Sequence, residues 1–513
     1  MAPGPEPRPF LGVACSRTGR AWRERCDAAA AQRSLAMAQA HGIPDVVARV
    51  LAGRGVALGD VPSFLAPKLR ALMPDPLVLQ DMGAAAARLA VAVTRGERVA
   101  IFGDYDVDGA CAAALLGGYL RACGAPFEIH IPDRITEGYG PNVGAIRALA
   151  QRGAGLLVTV DCGTASHEPL AEARRLGLGA VVLDHHGAPE TLPEADALVN
   201  PNRADDLSGL GHLCAAGVVF LTLVALNRTL REAGFFRERR EPDLLEGLDL
   251  VALATVADVV PLIGLNRAFV RGGLAVMRSR GRPGLAALFD VAGLSTAPEC
   301  WHLGYLLGPR INAGGRIGNA ALGATLMLAQ DPAEAARIAA ELDRLNRERQ
   351  EIEKAALLEA EAQAEAALAA EPDAPVLVTL SGAWHPGVVG LIASRLKERF
   401  RRPAFAFAVN EAGVATGSGR SVAGADLGLA VRAAVEAGLA VKGGGHAMAA
   451  GATVPGASLP AFAAFVAGRL AEPVGEARRS DGLAVDAALT AGGARVELVK
   501  ALDAAGPFGA GCP

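Results

Sequence analysis

The sequence predicts an α/β protein in which a doubly wound parallel-sheet domain is joined by a long helix to a second, smaller α/β domain. Three observations carry this expectation. From Arg98 onward, short Val/Ile/Leu runs alternate with helical segments, the pattern of a parallel sheet covered by helices. Pro332 to Ala370 is rich in Ala, Glu, Arg and Leu, with no Gly or Pro after its first residue, and reads as one connecting helix. After the breaker segment at 371–375 the strand–helix alternation starts again.

In chain order, residues 1–75 read as an N-terminal extension. Its apolar stretch Phe10 to Ala14 is too brief for a secretory core. The first domain is expected over 76–330, with strands at 98–103, 126–131, 155–160 and 179–183. Helices are expected at 110–122, 142–152 and 167–176, the second opened by Pro141 in its first turn, where a missing N–H costs nothing. The longest apolar run, Ala215 to Leu226, falls short of the ~20 residues of a membrane span and reads as a buried helix. The connecting helix falls within 331–373, and the second domain within 374–472. There the expected elements are strand 376–380, helix 387–399, strands 404–409 and 413–418, and helix 426–436. Residues 473–513, with a strand at Leu483 to Leu489, read as the start of a further module.

A chain of 513 residues allows roughly three domains at ~100–200 residues each. The net charge of -4 excludes a generally basic polyanion binder, so any nucleic-acid surface must be a local patch. Eight cysteines stand singly with no Cys-x-x-Cys pair, which fits a reducing cytoplasm and no membrane.

Three expected strands end in ionisable residues. Asp104, Asp106 and Asp108 follow the first, Asp161 the third, and Asp184, His185 and His186 the fourth. Groups at the carboxyl ends of parallel strands converge on one crevice. An acidic residue in a turn is by itself an ordinary hydrogen-bond acceptor; the functional reading rests on all of them ending strands of one sheet. Crowded carboxylates need a cation, and Asp and His donors without thiolate favour manganese, magnesium or iron-type chemistry over structural zinc. The Asp-x-Asp pair between Gly103 and Gly109 suits two divalent ions ~3.5–4 Å apart, the arrangement that clamps a phosphoryl displacement.

Asp184-His185-His186 resembles the namesake motif of the DHH phosphoesterases. Gly103 to Gly109, Glu137-Gly138-Tyr139-Gly140 and Val160-Asp161-Cys162-Gly163 resemble its other motifs, and Thr255 to Leu262 the segment with its last metal aspartate. Gly308 to Arg316, Gly444-Gly445-His446 and the stretch Phe10 to Trp22 narrow the likeness to RecJ-type single-strand-specific DNA exonucleases. The resemblance implies that Asp106, Asp161 and His185 hold one ion and Asp108, Asp161 and Asp258 the other, with Asp161 bridging. Asp104 and Asp184 then stand behind the ligands, and His186 acts in catalysis. Arg310, Asn312, Arg316, Ser418, Arg420, Gly444, Gly445 and His446 are implied to bind substrate.

The implied activity is two-metal hydrolysis of single-stranded DNA, 5′ to 3′, releasing mononucleotides in repair and recombination. Single-strand-binding protein and a helicase are implied as partners, and a monomer as the state. Two other readings are a phosphodiesterase for oligoribonucleotides, cyclic dinucleotides or polyphosphate, and a non-catalytic DNA-binding scaffold. The chain departs from the family pattern at Pro507 to Pro513, where an oligonucleotide-binding barrel is expected to follow and the sequence stops. Trp384 is read as a core residue in preference to a base-stacking face.

Overall fold

A computed structural model describes residues 9–134 and 136–512. The chain divides into two compact units: Cys26–Asn346 with the segment from Asp486 on, and the residues up to Arg25 with Arg347–Val485.

The larger unit is built on five parallel strands: β1 (Val99–Gly103), β2 (Phe127–His130), β3 (Leu156–Val160), β4 (Gly179–Leu183) and β5 (Ala197–Val199). Their order is β2-β1-β3-β4-β5. Alternate residues serve opposite faces. Ile101, Val158 and Val181, mutually in register, join one apolar cluster with α1 (Val107–Ala122) and α4 (Ala215–Glu232). Phe102, Leu157 and Val182 join another with α2 (Val143–Gln151) and α3 (His167–Arg175). Helices on both faces make the sheet doubly wound, as expected. The chain leaves β1 toward β2 on one side and returns to β3 on the other, so the order reverses at β1. Further helices complete the unit: α5 (Leu248–Ala257), α6 (Gly264–Met277) and α7 (Gly308–Ile317).

The connecting helix α8 spans Pro332–Ala370. In the smaller unit, β6 (Leu377–Ser381), β7 (Ala404–Val409), β8 (Val414–Arg420), β9 (Lys442–His446) and β10 (Ala449–Pro455) form a sheet of order β9-β10-β8-β7-β6. Only β6 and β7 run parallel. Helices α9 (Val389–Phe400), α10 (Leu427–Glu436) and α11 (Leu459–Ser480) accompany it.

Several expectations change in detail. Pro141 lies outside the first turn of α2, because Asn142 is the cap and its side chain accepts from the Ala145 N–H. The expected strand at Leu483 to Leu489 is Gly482–Val485, and it pairs in parallel with Ala21–Glu24. Residues from Asp486 on do not open a separate body. Ala501, Leu502, Ala505 and Phe508 instead pack on the cluster around Met37, Val47 and Leu51, which lets a short segment bury apolar surface it could not bury alone.

Ile101 is fully buried on β1, between β2 and β3 in the sheet of the larger unit. Ile101→Ala is expected to destabilise this unit by about 2–5 kcal/mol through lost transfer energy and the cavity left behind. The shift of the urea unfolding midpoint of the purified chain measures it.

Candidate metal centre

Local backbone constraints aim the acidic residues. After β1 the chain turns through Asp104 and Tyr105 into Asp106, which caps α1 by accepting from the Gly109 N–H at 3.0 Å. A Cβ on Gly109 would stand 2.4 Å from the Asp104 carbonyl oxygen, so only glycine lets this loop fold onto the helix. Asp161 ends β3 with φ +63°, a left-handed conformation rare outside glycine. Its N–H still bonds the Leu183 carbonyl at 3.0 Å, which ties the turn to β4. Asp258 caps the end of α5, and the next residue, Val259, has φ +60°.

These groups meet beside the point where the strand order reverses, the usual ligand crevice of such sheets. His185 Nε2 lies 3.2 Å from Asp161 Oδ1, and 3.7 Å from both Asp108 Oδ2 and Asp258 Oδ2. Three sets of donors each gather within 4.8 Å: Asp161, His185 and His186; Asp108, His185 and Asp258; Asp104, Asp106 and Asp161. The resemblance instead groups His185 with Asp106 and Asp161, groups Asp108 with Asp161 and Asp258, and sets Asp104 behind them. Asp161 and His185 each belong to two of the sets.

Surrounding groups hold the ligands still. Both Asp108 oxygens accept backbone N–H groups at the start of α4, from Ala215 at 2.6 Å and Ala216 at 2.8 Å, where the helix dipole favours an anion. Asp184 Oδ1 accepts from the His185 and His186 N–H groups and from His186 Nδ1 at 2.8 Å, while Oδ2 accepts from the Thr164 N–H. Thus Asp184 has spent its acceptors on orientation. Asn200 reaches Thr164 Oγ1 and the His186 carbonyl, and Asn202 reaches the His185 carbonyl. The Tyr139 hydroxyl donates to the Asp161 carbonyl at 3.2 Å and approaches the His186 ring. Sequence reading missed Thr164, Asn200 and Asn202. Asn200 directly follows the short β5, so the strand-end argument would have found it had that strand been recognised.

Burial and mutual repulsion raise the carboxyl pKa values. Burial first, then Asp106, holds Asp104 well above its usual range; burial first, then Asp108 and Asp106, does the same for Asp161. Asp258 is pushed up to about 8 by burial and by Asp108 and Asp106. Burial also raises Asp108, against the opposing pull of His185. Burial alone would raise Asp184, but the His186 and Thr164 hydrogen bonds hold it below the ordinary range. Burial works against protonating His186, yet Asp184 raises that ring to about 9.

A divalent cation fits this site. Asp104 Oδ1, Asp161 Oδ1 and His185 Nε2 are buried without a hydrogen-bond partner, in a protein interior where such atoms are normally satisfied. The donors are hard oxygens and imidazole nitrogen. The nearby thiol of Cys162 points at the Phe102 and Val160 carbonyls. That donor set suits manganese or magnesium.

The other expected site residues fall in two places. In the larger unit, a Cβ on Gly315 would touch the Tyr105 carbonyl at 2.5 Å, so α7 packs on the metal loop and Arg316 lies in the electrostatic field of Tyr105. The Arg134 guanidinium covers the same ring at 5.0 Å. Arg310 is engaged elsewhere, with Asp343 Oδ1 at 3.0 Å and the Leu306 carbonyl at 2.7 Å. Asn312 Oδ1 is buried without a partner. In the smaller unit, Arg420 donates to Ser418 Oγ at 2.8 Å on β8, and Gly444, Gly445 and His446 lie on β9. Trp384 is buried and its indole N–H bonds Glu359, a core role.

Residues 98–255 match the DHH family N-terminal domain, and residues 373–472 match the DHHA1 domain. The chain is 42% identical over 421 residues to the single-stranded-DNA-specific exonuclease RecJ of Dickeya dadantii, covering 80% of this chain and 72% of that protein. Identity to the Escherichia coli protein of the same name is 39%, with the same coverage. Among solved structures, RecJ from Thermus thermophilus in complex with Mn2+ superposes with a TM-score of 0.77 at 32% identity, over 95% of this chain and 67% of that one.

Asp258 and His186 have raised pKa values in the metal-free fold, so they retain protons there that the unfolded chain gives up. The sign follows: metal-free stability falls as pH rises from about 4, the ordinary aspartate value, toward 8 and 9. The melting temperature of the metal-free protein is therefore expected to drop across that window. The increase on adding Mn2+ is expected to grow with pH, because the ligands must be deprotonated. Thermal scans with and without Mn2+ at pH 5 to 9 check both.

Proposed function

Because the chain belongs to the RecJ family of single-stranded-DNA-specific exonucleases, we propose a division of labour among its residues for hydrolysing phosphodiester bonds of single-stranded DNA. The chain is a metal-dependent exonuclease whose cofactor is manganese or magnesium. The observation that carries the reading is the set of buried, unpartnered ligand atoms on Asp104, Asp161 and His185 at the crevice where the sheet order reverses.

Asp106, Asp108, Asp161, His185 and Asp258 would hold two ions, with Asp161 placed to contribute to both. Asp104 stands close enough to add a ligand to the ion near Asp106. When bound, the ions generate a nucleophile from water at neutral pH and neutralise the charge that develops on the phosphoryl group. Asp184 fixes the His185 and His186 rings. By accepting from His186 Nδ1 it leaves Nε2 available to hold a proton near the scissile phosphate. Tyr139 steadies the Asp161 turn. Arg134, over the Tyr105 ring, and Arg316, at the end of α7, supply guanidinium forks for strand phosphates. In the smaller unit Ser418, Arg420 and the Gly444 to His446 strand bind substrate phosphates. Digestion runs 5′ to 3′ and releases mononucleotides, in repair and recombination. The protein acts as a cytoplasmic monomer with single-strand-binding protein and a helicase as partners.

The test incubates the protein and Mn2+ with single-stranded DNA labelled at either end, beside duplex DNA, short RNA and pyrophosphate. Early release of the 5′ label as mononucleotide from single strands is the expected result. Preferential turnover of RNA or pyrophosphate would favour a small-substrate phosphodiesterase instead. Asp161→Ala is expected to lower kcat by more than about 100-fold, beyond the loss typical of a supporting residue. In salt titrations of strand binding, Arg316→Ala should reduce the slope of log affinity on log salt by about 0.7, one phosphate contact. Arg310→Ala, already paired with Asp343, should leave that slope unchanged.

A further inference from the structure

The first turn of α6 carries two buried polar side chains with no part in the chemistry above, Asn266 and Arg267. Among the described residues no carboxylate pairs with Arg267. Its guanidinium donates to the carbonyls of Gly506 at 2.8 Å, Ala505 at 2.9 Å, Pro507 at 3.1 Å and Phe64 at 3.2 Å, and lies 3.6 Å from the centre of the Phe64 ring. A buried charge held by carbonyls is a poor source of stability, which raises the question of what it positions.

The segment it clamps lies flush against the loop that follows Asp258. The Leu262 N–H donates to the Ala510 carbonyl at 2.7 Å. A Cβ on Gly509 would stand 2.8 Å from Leu262 Cδ1, and one on Gly511 3.0 Å from Pro261 Cβ. That loop opens with Val259, a β-branched residue in the left-handed region, a conformation that persists only where the surroundings fix it.

Asn266 grips the same loop from the other side. Its Nδ2 donates to the Pro261 carbonyl at 3.0 Å and to the His212 carbonyl at 2.7 Å. His212 stands two residues before Cys214, the cap of α4, and the first N–H groups of α4 hold Asp108. One carboxamide therefore joins the loop behind Asp258 to the helix terminus behind Asp108.

We infer that Asn266 and Arg267 are positioning residues for the metal centre. Asn266 couples the supports of Asp108 and Asp258, and Arg267 presses the 505–512 segment against the Asp258 loop. The inference rests on the reading that Asp108 and Asp258 are ligands to one ion.

The test measures Mn2+ binding to folded protein by electron paramagnetic resonance, alongside kcat and KM on single-stranded DNA, for Asn266→Ala, Arg267→Lys, Gly509→Val and Asp258→Ala. The first three are expected to weaken one Mn2+ by about 10–100-fold. They should lower kcat, leave KM for DNA unchanged, and recover kcat at high Mn2+. Asp258→Ala should lose that ion without recovery. Should Arg267→Lys fail to fold, Gly509→Val decides, since it crowds Leu262 while leaving the guanidinium in place. If Asp258→Ala loses an ion while folded Asn266→Ala and Gly509→Val bind Mn2+ as the parent chain does, the inference is overturned and the ligand reading stands. If Asp258→Ala also binds Mn2+ normally, the ligand reading fails and the inference fails with it.

Discussion

Aspartates 104, 106, 108, 161 and 258 crowd into one crevice around His185, and the cost of holding like charges together out of water governs the surrounding structure. Four of them are held by a backbone feature. Asp106 caps α1, Asp108 sits on the N–H groups of α4, Asp161 occupies a left-handed turn, and Asp258 caps α5 ahead of a strained valine. A softer frame would let the carboxylates part. A rigid one keeps the carboxyl groups crowded, so that either protons or metal ions must neutralise them and metal binding is coupled to deprotonation.

The doubly wound sheet is well suited to that frame. Strands β1, β3 and β4 are buried on both faces, so their carboxyl ends are fixed by packing on two sides. The order reverses at β1, which separates the helices above β1 and β3 and leaves room for the ligands. Small residues bring the layers close: α1 runs through Ala110 to Ala114, all fully or nearly fully buried. Histidines 185 and 186 then need their own supports, which Asp184, Asn200 and Asn202 provide from the ends of β4 and β5.

Much of this was legible in the sequence, for definite physical reasons. Strands β1, β3 and β4 are dominated by β-branched and aliphatic residues, and α8 has no breaker after its first residue, so periodicity found them. The acids at the ends of β1, β3 and β4 followed from the strands. Asp258 was different: it ends a helix, and only the family resemblance pointed to it. Strand β5 is apolar but has only three residues, too few to show a period, and β9 reads Lys-Gly-Gly-Gly-His, which has no apolar pattern. Arg267 was invisible because an arginine is expected at the surface, and its burial depends on carbonyls far along the chain. The ion pair of Arg310 also depends on tertiary structure, since its partner Asp343 lies on α8.

The central claim is that one carboxylate, Asp161, organises two ions in the crevice. Anomalous diffraction at the manganese edge from crystals grown with Mn2+ tests it most directly. The account predicts two peaks ~3.5–4 Å apart, both within bonding distance of the Asp161 carboxylate, one toward Asp106 and the other toward Asp108 and Asp258. A single peak, or a pair of which only one touches Asp161, would contradict it.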